Sequence, residues 1–288
     1  MEKLELQVRD FDLVQIFECG QCFRWERQAD GRYFGIVSNK AVYISLENRD
    51  NYSGVLTIEA KNAVADRAFW ESYFDLSRDY GKIKEQLAAK DKKLAVAISY
   101  GEGIRILKQD IFETIISFIV SQNSNIPRIK KCINAIAEKF GERIVCENGE
   151  AHYAFPTVFE LQKAGVEDLK ILKLGYRAEY IAATSARLAK NHEEFARIGE
   201  MDYKTAREFL LGLSGIGPKV ADCILLFGLG KFEAFPIDVW VKRVMHDVYG
   251  FDEKDTKGMN EYAATHFGDN GGIAQQYLFY YIRTLAGK

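Results

Sequence analysis

The sequence predicts an α+β protein: an N-terminal antiparallel sheet domain with flanking helices over residues 1–102, then a large all-helical body over residues 103–288. Three observations lead there. Short alternating runs rich in β-branched and aromatic residues fill the chain up to about Ala60. From Ala65 onward apolar residues recur every third or fourth position. Near Gly215 a glycine- and proline-punctuated turn separates two helical runs, which makes a helical hairpin. Taking the elements in order, FRWER, QADGR and YFGIVS read as a β-hairpin with Asp30-Gly31 in the turn, and AVYISL as the next strand. DRAFWESYF and GKIKEQLAAKDKKLAVAI have helical spacing. After Gly101-Glu102-Gly103, IFETIISFIVSQNS is apolar nearly all round, as a buried central helix should be. Asn125 is placed to cap IPRIKKCINAIAEKF, which Gly141 ends. Further helices fit VFELQKA, VEDLKILK, RAEYIAATSARLAKN, YKTAREFLLGL, PKVADCILLFGL, VWVKRVMHDVY and GGIAQQYLFYYIRTLA. No strand pattern of comparable strength follows residue 110, and no fixed-period repeat or low-complexity linker is present.

Composition excludes several classes. The chain has 288 residues, 48% of them apolar, so it buries real cores and is not a disordered polymer. Its 39 Lys+Arg against 41 Asp+Glu mean that any grip on nucleic acid is patch-wise rather than spread over the surface. The opening MEKLELQVRDFD lacks the basic start and apolar run of a secretory signal, and no apolar stretch is long enough to span a membrane; the expectation is a cytoplasmic protein, associated with the nucleoid through DNA. The five cysteines are odd in number, which favours thiols over disulfides. Cys19 and Cys22 form a C-x-x-C, yet no second close pair supplies a zinc site, so neither metal nor cofactor is expected.

The most informative stretch is FLLGLSGIGPKVADCILL. A helix ends at Gly212, the turn Leu213-Ser214-Gly215-Ile216-Gly217 follows, and Pro218 suits the first turn of the next helix. Gly215 and Gly217 permit positive φ and a close backbone approach. The N–H groups opening the second helix then face outward with its positive dipole end behind them, which is a sequence-independent phosphate clamp. A Rossmann fingerprint or a P-loop does not fit, since the third glycine is missing and the preceding element is helical. A merely structural helical hairpin stays open on this stretch alone.

The hairpin, with Lys219 two residues after its last glycine and AFPIDVW carrying Asp238, resembles the helix-hairpin-helix, Gly/Pro-rich loop and aspartate of the base-excision DNA glycosylase superfamily. Within it the chain is similar to the 8-oxoguanine DNA glycosylase/lyase family over nearly its whole length: GQCFRW, SFIVSQNSNIPRI, LGYRAEYI, GPKVADCI, FPIDVW and AQQYLF fall in the family's order. Branches with an iron–sulfur cluster carry a cysteine quartet that this chain lacks. The resemblance implies an active site in the cleft between two helical subdomains, and duplex DNA containing 8-oxoguanine as partner of a monomer. Lys219 would be the nucleophile and Asp238 the catalytic carboxylate. Gly20, Gln275, Phe279 and Cys223 would form the base pocket. Asn123, Tyr176, Arg177 and Arg128 match the hole-filling, wedging and cytosine-contacting positions, with Gly215, Gly217 and Trp240 on the DNA backbone. Trp240 departs from the family, since animal members place a histidine there.

The residue types agree with that chemistry. Only an unprotonated amine attacks the sugar C1′, and a first-turn position in a desolvated cleft disfavours the ammonium. A Lys219 that merely clamps phosphate is the plainer alternative, as a helix cap is for Asp238, and burial as a small apolar group for Cys223. Amine attack yields a Schiff base with the opened sugar, from which β-elimination of the 3′ phosphate follows, so the resemblance implies a lyase as well as a glycosylase. 8-Oxoguanine carries a proton at N7 where guanine has an acceptor; a carbonyl at Gly20 accepts from the first and repels the second. Gln275 would read the Watson–Crick edge and Phe279 stack on the base. Two rivals remain: an alkylated-purine glycosylase using Asp238 and water, and a non-catalytic helix-hairpin-helix DNA-binding module.

Overall fold

The computed structural model describes residues 1–50, 52–146 and 149–287. Five strands, β1 (Glu2–Val8), β2 (Trp25–Arg27), β3 (Tyr33–Val37), β4 (Lys40–Asp50) and β5 (Ser53–Ala60), form an antiparallel sheet in the order β1-β5-β4-β3-β2. The alternation in the sequence is the two faces of this sheet: Leu4, Leu6 and Val8 are buried and Glu5 and Gln7 between them exposed. Asp30-Gly31 does make the β2–β3 turn, with Gly31 at φ 87°. Helices α1 (Leu13–Phe17) and α2 (Arg67–Tyr73) cover the apolar face, where Phe17, Trp25, Trp70 and Phe74 pack with the strand residues. The first of these helices is unforeseen, because five residues are too few to show a period; its start is fixed by Asp12, whose Oδ1 accepts from Gln15 N at 2.8 Å.

The long charged run after the sheet is two helices, α3 (Tyr80–Lys90) and α4 (Lys92–Tyr100), broken at Asp91, whose side chain caps the second by accepting from Lys93 N and Leu94 N. Their buried residues Tyr80, Leu87, Leu94 and Ile98 join the core of the helical body, not that of the sheet. The body continues through α5 (Ile111–Ser121), α6 (Ile126–Phe140), α7 (Val158–Leu161), α8 (Val166–Lys170), α9 (Arg177–Lys190), α10 (His192–Ala196), α11 (Tyr203–Leu211), α12 (Pro218–Leu229), α13 (Val239–Asp247), α14 (Thr256–His266) and α15 (Gly271–Leu285). α5 is the central helix that its all-round apolarity implies: Ile115, Ile116 and Ile119 have no solvent exposure, each worth about 1.5–3 kcal/mol of burial. Against expectation, a two-stranded ribbon of β6 (Arg143–Val145) and β7 (Ala151–Tyr153) interrupts the helices. Three-residue strands are too short to alternate legibly. All five cysteines are free thiols, and no helix among the described residues is long and apolar enough to cross a membrane.

Sheet and body are locked by buried polar side chains. Arg105 donates to the carbonyls of Arg9, Phe74, Asp75 and Arg78, and its guanidinium lies 4.2 Å from the Tyr80 ring centroid. Gln21 donates to Ile16 O at 2.9 Å and Arg105 O at 2.8 Å, while its own side-chain oxygen accepts from Leu107 N. Breaking such contacts leaves buried polar groups unpaired, which costs about 1–3 kcal/mol each. The loop carrying Gly20 is therefore rigidly seated.

Candidate active site

The hairpin is α11, a loop over residues 212–217, and α12. Its two glycines serve different ends. Gly215 sits at φ 76°, and a Cβ there would lie 2.6 Å from the Tyr180 ring, so backbone angle and packing both demand glycine. Gly217 is an extended N-cap at φ −91°, with nothing within 4 Å of an added Cβ, so its freedom to turn left-handed goes unused. What it offers is an exposed, unobstructed backbone at the positive end of α12. Three of the loop carbonyls are held from behind by side chains: Gly212 O by Arg187, Ser214 O by Thr184 Oγ1 at 2.9 Å and Gly215 O by Gln122 Nε2 at 2.9 Å. A part-buried ion pair, Arg207 Nε to Asp222 at 2.7 Å, fastens α11 to α12.

Lys219, the second residue of α12, is half-buried, with Nζ 5.5 Å from the Phe118 ring centroid of the central helix. One turn on, Cys223 is 3% exposed; burial raises its thiol to about 11, partly offset by the Lys219 charge, so it faces the amine as a neutral thiol. Asp238 caps α13, its Oδ1 accepting from Trp240 N at 3.0 Å and Val241 N at 2.8 Å. Burial pushes its carboxyl up; the Val241 N–H, Lys219, the Trp240 N–H and Arg283 pull it back. The amine and the carboxylate thus sense each other without forming an ion pair. The cap and any catalytic duty can be separated: Asp238→Asn keeps a cap acceptor, so melting should shift by no more than a few degrees while single-turnover base release slows about a hundredfold. Unchanged rates would remove Asp238 from the chemistry.

A second cluster adjoins this pair. Gly20 has φ 83°, and an added Cβ would lie 3.6 Å from Phe279 Cε1 and 3.8 Å from Arg283 Nη1. Gln276 Nε2 donates to Cys19 O at 3.0 Å and Gln109 Nε2 to Gln21 O at 2.7 Å, pinning the peptide segment on both sides of Gly20. Gln275, 4% exposed, has a side-chain oxygen with no hydrogen-bond partner. In a folded core such an acceptor is costly unless a ligand serves it. One series of neighbours thus runs Gly20, Phe279, Arg283, Asp238, Lys219, Cys223.

The remaining residues lie on three segments, each at or just before the start of a helix. Asn123 is exposed at φ 47°, a conformation asparagine tolerates. Tyr176 is 49% exposed, a large aromatic left facing solvent. Arg128 is exposed in the first turn of α6, and Trp240 is half-buried in the first turn of α13. Arg177 is not displayed for a base: it is 4% exposed, donates to Gln122 O and Asn123 O, and lies 4.6 Å from the Tyr176 ring centroid. In this arrangement it fastens the wedge to the hole-filler. Sequence reasoning missed Gln21, Gln122 and Gln276, which hold these loops. Gln21 and Gln276 stand beside buried apolar residues in the sequence, whereas Gln122 lies in the polar stretch SQNSN and carries no signal of its own.

The comparisons with known proteins agree with this geometry. Residues 3–115 match the 8-oxoguanine DNA glycosylase N-terminal domain and residues 116–267 the HhH-GPD superfamily of base excision DNA repair proteins. A probable N-glycosylase/DNA lyase of Methanothermobacter thermautotrophicus is 34% identical over 97% of this chain and 96% of its own. The N-glycosylase/DNA lyase of Saccharomyces cerevisiae is 32% identical over 84% of this chain and 69% of its own. Among solved structures, the Clostridium acetobutylicum 8-oxoguanine glycosylase/lyase bound to duplex DNA with cytosine opposite 8-oxoguanine superposes with a TM-score of 0.92 at 40% identity, over 99% of this chain and 98% of that one. With a hairpin that sets a lysine beside a capping aspartate, and with relatives matching from end to end, the chain belongs to the 8-oxoguanine DNA glycosylase family of the HhH-GPD superfamily.

Proposed function

We propose that this protein is a bifunctional base-excision repair enzyme that turns 8-oxoguanine out of duplex DNA, releases it and nicks the strand, acting as a cytoplasmic monomer. The observation that carries the reading is the juxtaposition of Lys219 with Asp238 beside a pocket whose Gln275 oxygen lacks a donor. The outward N–H groups of α12 and its dipole hold backbone phosphate. Tyr176 wedges the duplex and Asn123 occupies the place of the extruded base; Arg177 donates to Asn123 O and lies against the Tyr176 ring, and Gln122 ties the Asn123 segment to Gly215 O of the hairpin. The flipped base lies on Phe279, gives N–H donors of its Watson–Crick edge to Gln275, and gives N7–H to the Gly20 carbonyl. Cys223 forms the opposite wall.

With the Lys219 amine unprotonated, its lone pair attacks C1′ as the bond to N9 breaks and the base departs with the bonding electrons. Asp238 stabilises the positive charge that develops on the sugar. Ring opening gives the Schiff base; loss of a C2′ proton then expels the 3′ phosphate. The test is single-turnover kinetics on matched duplexes carrying 8-oxoguanine, an alkylated purine or guanine. Release and nicking of 8-oxoguanine alone supports the reading. Release of the alkylated base without nicking favours the water-using rival, and binding with no release favours the binding module.

A further inference from the structure

Arg283 has no part in the machinery above, yet it sits inside it. Gln275, Phe279 and Arg283 follow one another at successive turns along one face of α15. The Arg283 guanidinium lies 5.2 Å from the Phe279 ring centroid and against Gly20, and its charge reaches the Asp238 carboxyl. It makes no hydrogen bond or ion pair with any described residue, although it is half-buried. A guanidinium brings five donors in a fixed fork, and here none of them is committed to a described residue, so the fork is available to an acceptor that enters the pocket.

The perimeter of a purine says what that fork meets. C8 lies between N7 and N9, and N9 bears the sugar C1′. Gly20 faces N7 and Asp238 faces C1′, so a cation lying against the first and within reach of the second faces C8. We infer that Arg283 is a specificity-determining residue that donates to the C8 oxygen of the lesion. This rests on the 8-oxoguanine reading and adds a second test of the base to the N7–H contact. Guanine presents only C8–H there and leaves the fork unserved. As the bond to N9 breaks, negative charge spreads over the departing base onto the C8 oxygen, and the guanidinium opposes it directly, so the contact strengthens as the reaction proceeds.

The experiment compares wild type with Arg283→Met, whose unbranched side chain keeps packing on Phe279. Single-turnover excision is measured on duplexes with 8-oxoguanine and with 8-thioguanine, which keeps N7–H but replaces the oxygen with a weakly accepting sulfur. Cleavage of a preformed abasic site and the salt dependence of binding are measured alongside. The expected result is a fall of about ten- to a hundredfold in 8-oxoguanine excision. The oxygen-over-sulfur preference of wild type should collapse by at least about fivefold, with abasic-site cleavage and the salt slope unchanged. Arg283→Lys, which retains a cation and a donor, should recover part of the preference. An unaltered oxygen-over-sulfur ratio overturns the assignment. So does a uniform loss of affinity with a salt slope smaller by about one, which would make Arg283 a phosphate contact. Equal falls in excision and abasic-site cleavage would mean it serves Asp238 instead. Wild type that fails to excise 8-oxoguanine overturns the functional reading itself, whereas an active wild type matched by Arg283→Met overturns only this inference.

Discussion

Lys219→Gln abolishes base release and strand nicking, a fall of about 10⁴-fold or more, while duplex affinity stays within about tenfold of wild type. The nitrogen lone pair of a carboxamide is delocalised into its carbonyl, so glutamine makes no amine attack on C1′ and forms no Schiff base. The binding elements survive the change, because the grip on phosphate comes from backbone N–H groups at the start of α12, behind an N-cap at Gly217. The second residue of a helix accepts a glutamine at little cost, although the contact of the Lys219 Nζ with the Phe118 ring is lost. The check is single-turnover excision with a binding isotherm on the same 8-oxoguanine duplex. Excision within tenfold of wild type would assign the nucleophile elsewhere, and a collapse of both activity and affinity would make Lys219 a phosphate contact.

Gly20→Ala depresses excision of 8-oxoguanine about a hundredfold but leaves cleavage of a preformed abasic site within a few-fold of wild type, because the latter needs no base in the pocket. The structure refines the cause. An added Cβ would meet Phe279 at 3.6 Å, an ordinary contact, so crowding is not the main effect. The φ of 83° is: a Cβ there costs about 1–2 kcal/mol, which the backbone relieves by rotating. The segment cannot rotate freely, being pinned through Cys19 O and Gln21, so the carbonyl proposed to accept from N7–H is displaced or the loop strains. Equal falls in both activities would indicate a folding defect, and no fall in either would take Gly20 out of recognition.

Much of this was legible in the sequence where a local rule sufficed. The Asp30-Gly31 turn, the Asn125 and Asp238 caps and the end of α11 at Gly212 are set by residues close by in the chain, and each lies where its signature falls. Elements too short to repeat their pattern escaped, namely α1, α10, β6 and β7, and so did the eleven-residue α14, which buries only Met259 and Ala263. So did everything set by distant partners. Nothing local says that α3 and α4 join the body's core, or that Arg177 turns inward to carbonyls more than 50 positions earlier. The two hairpin glycines look alike in sequence and differ in purpose, since only the Tyr180 ring behind Gly215 tells them apart. Arg283 passed unnoticed for the same reason, since its significance comes from Gly20 and Asp238, both remote in the chain.

The central claim is that the Lys219 amine becomes covalently joined to the sugar. Borohydride reduction of the protein reacting with an 8-oxoguanine duplex, followed by mapping of the linked peptide, tests it most directly. One protein–DNA adduct is expected, formed in step with base release and located on Lys219. Base release with no trapped adduct, or an adduct on any other amine, would contradict it.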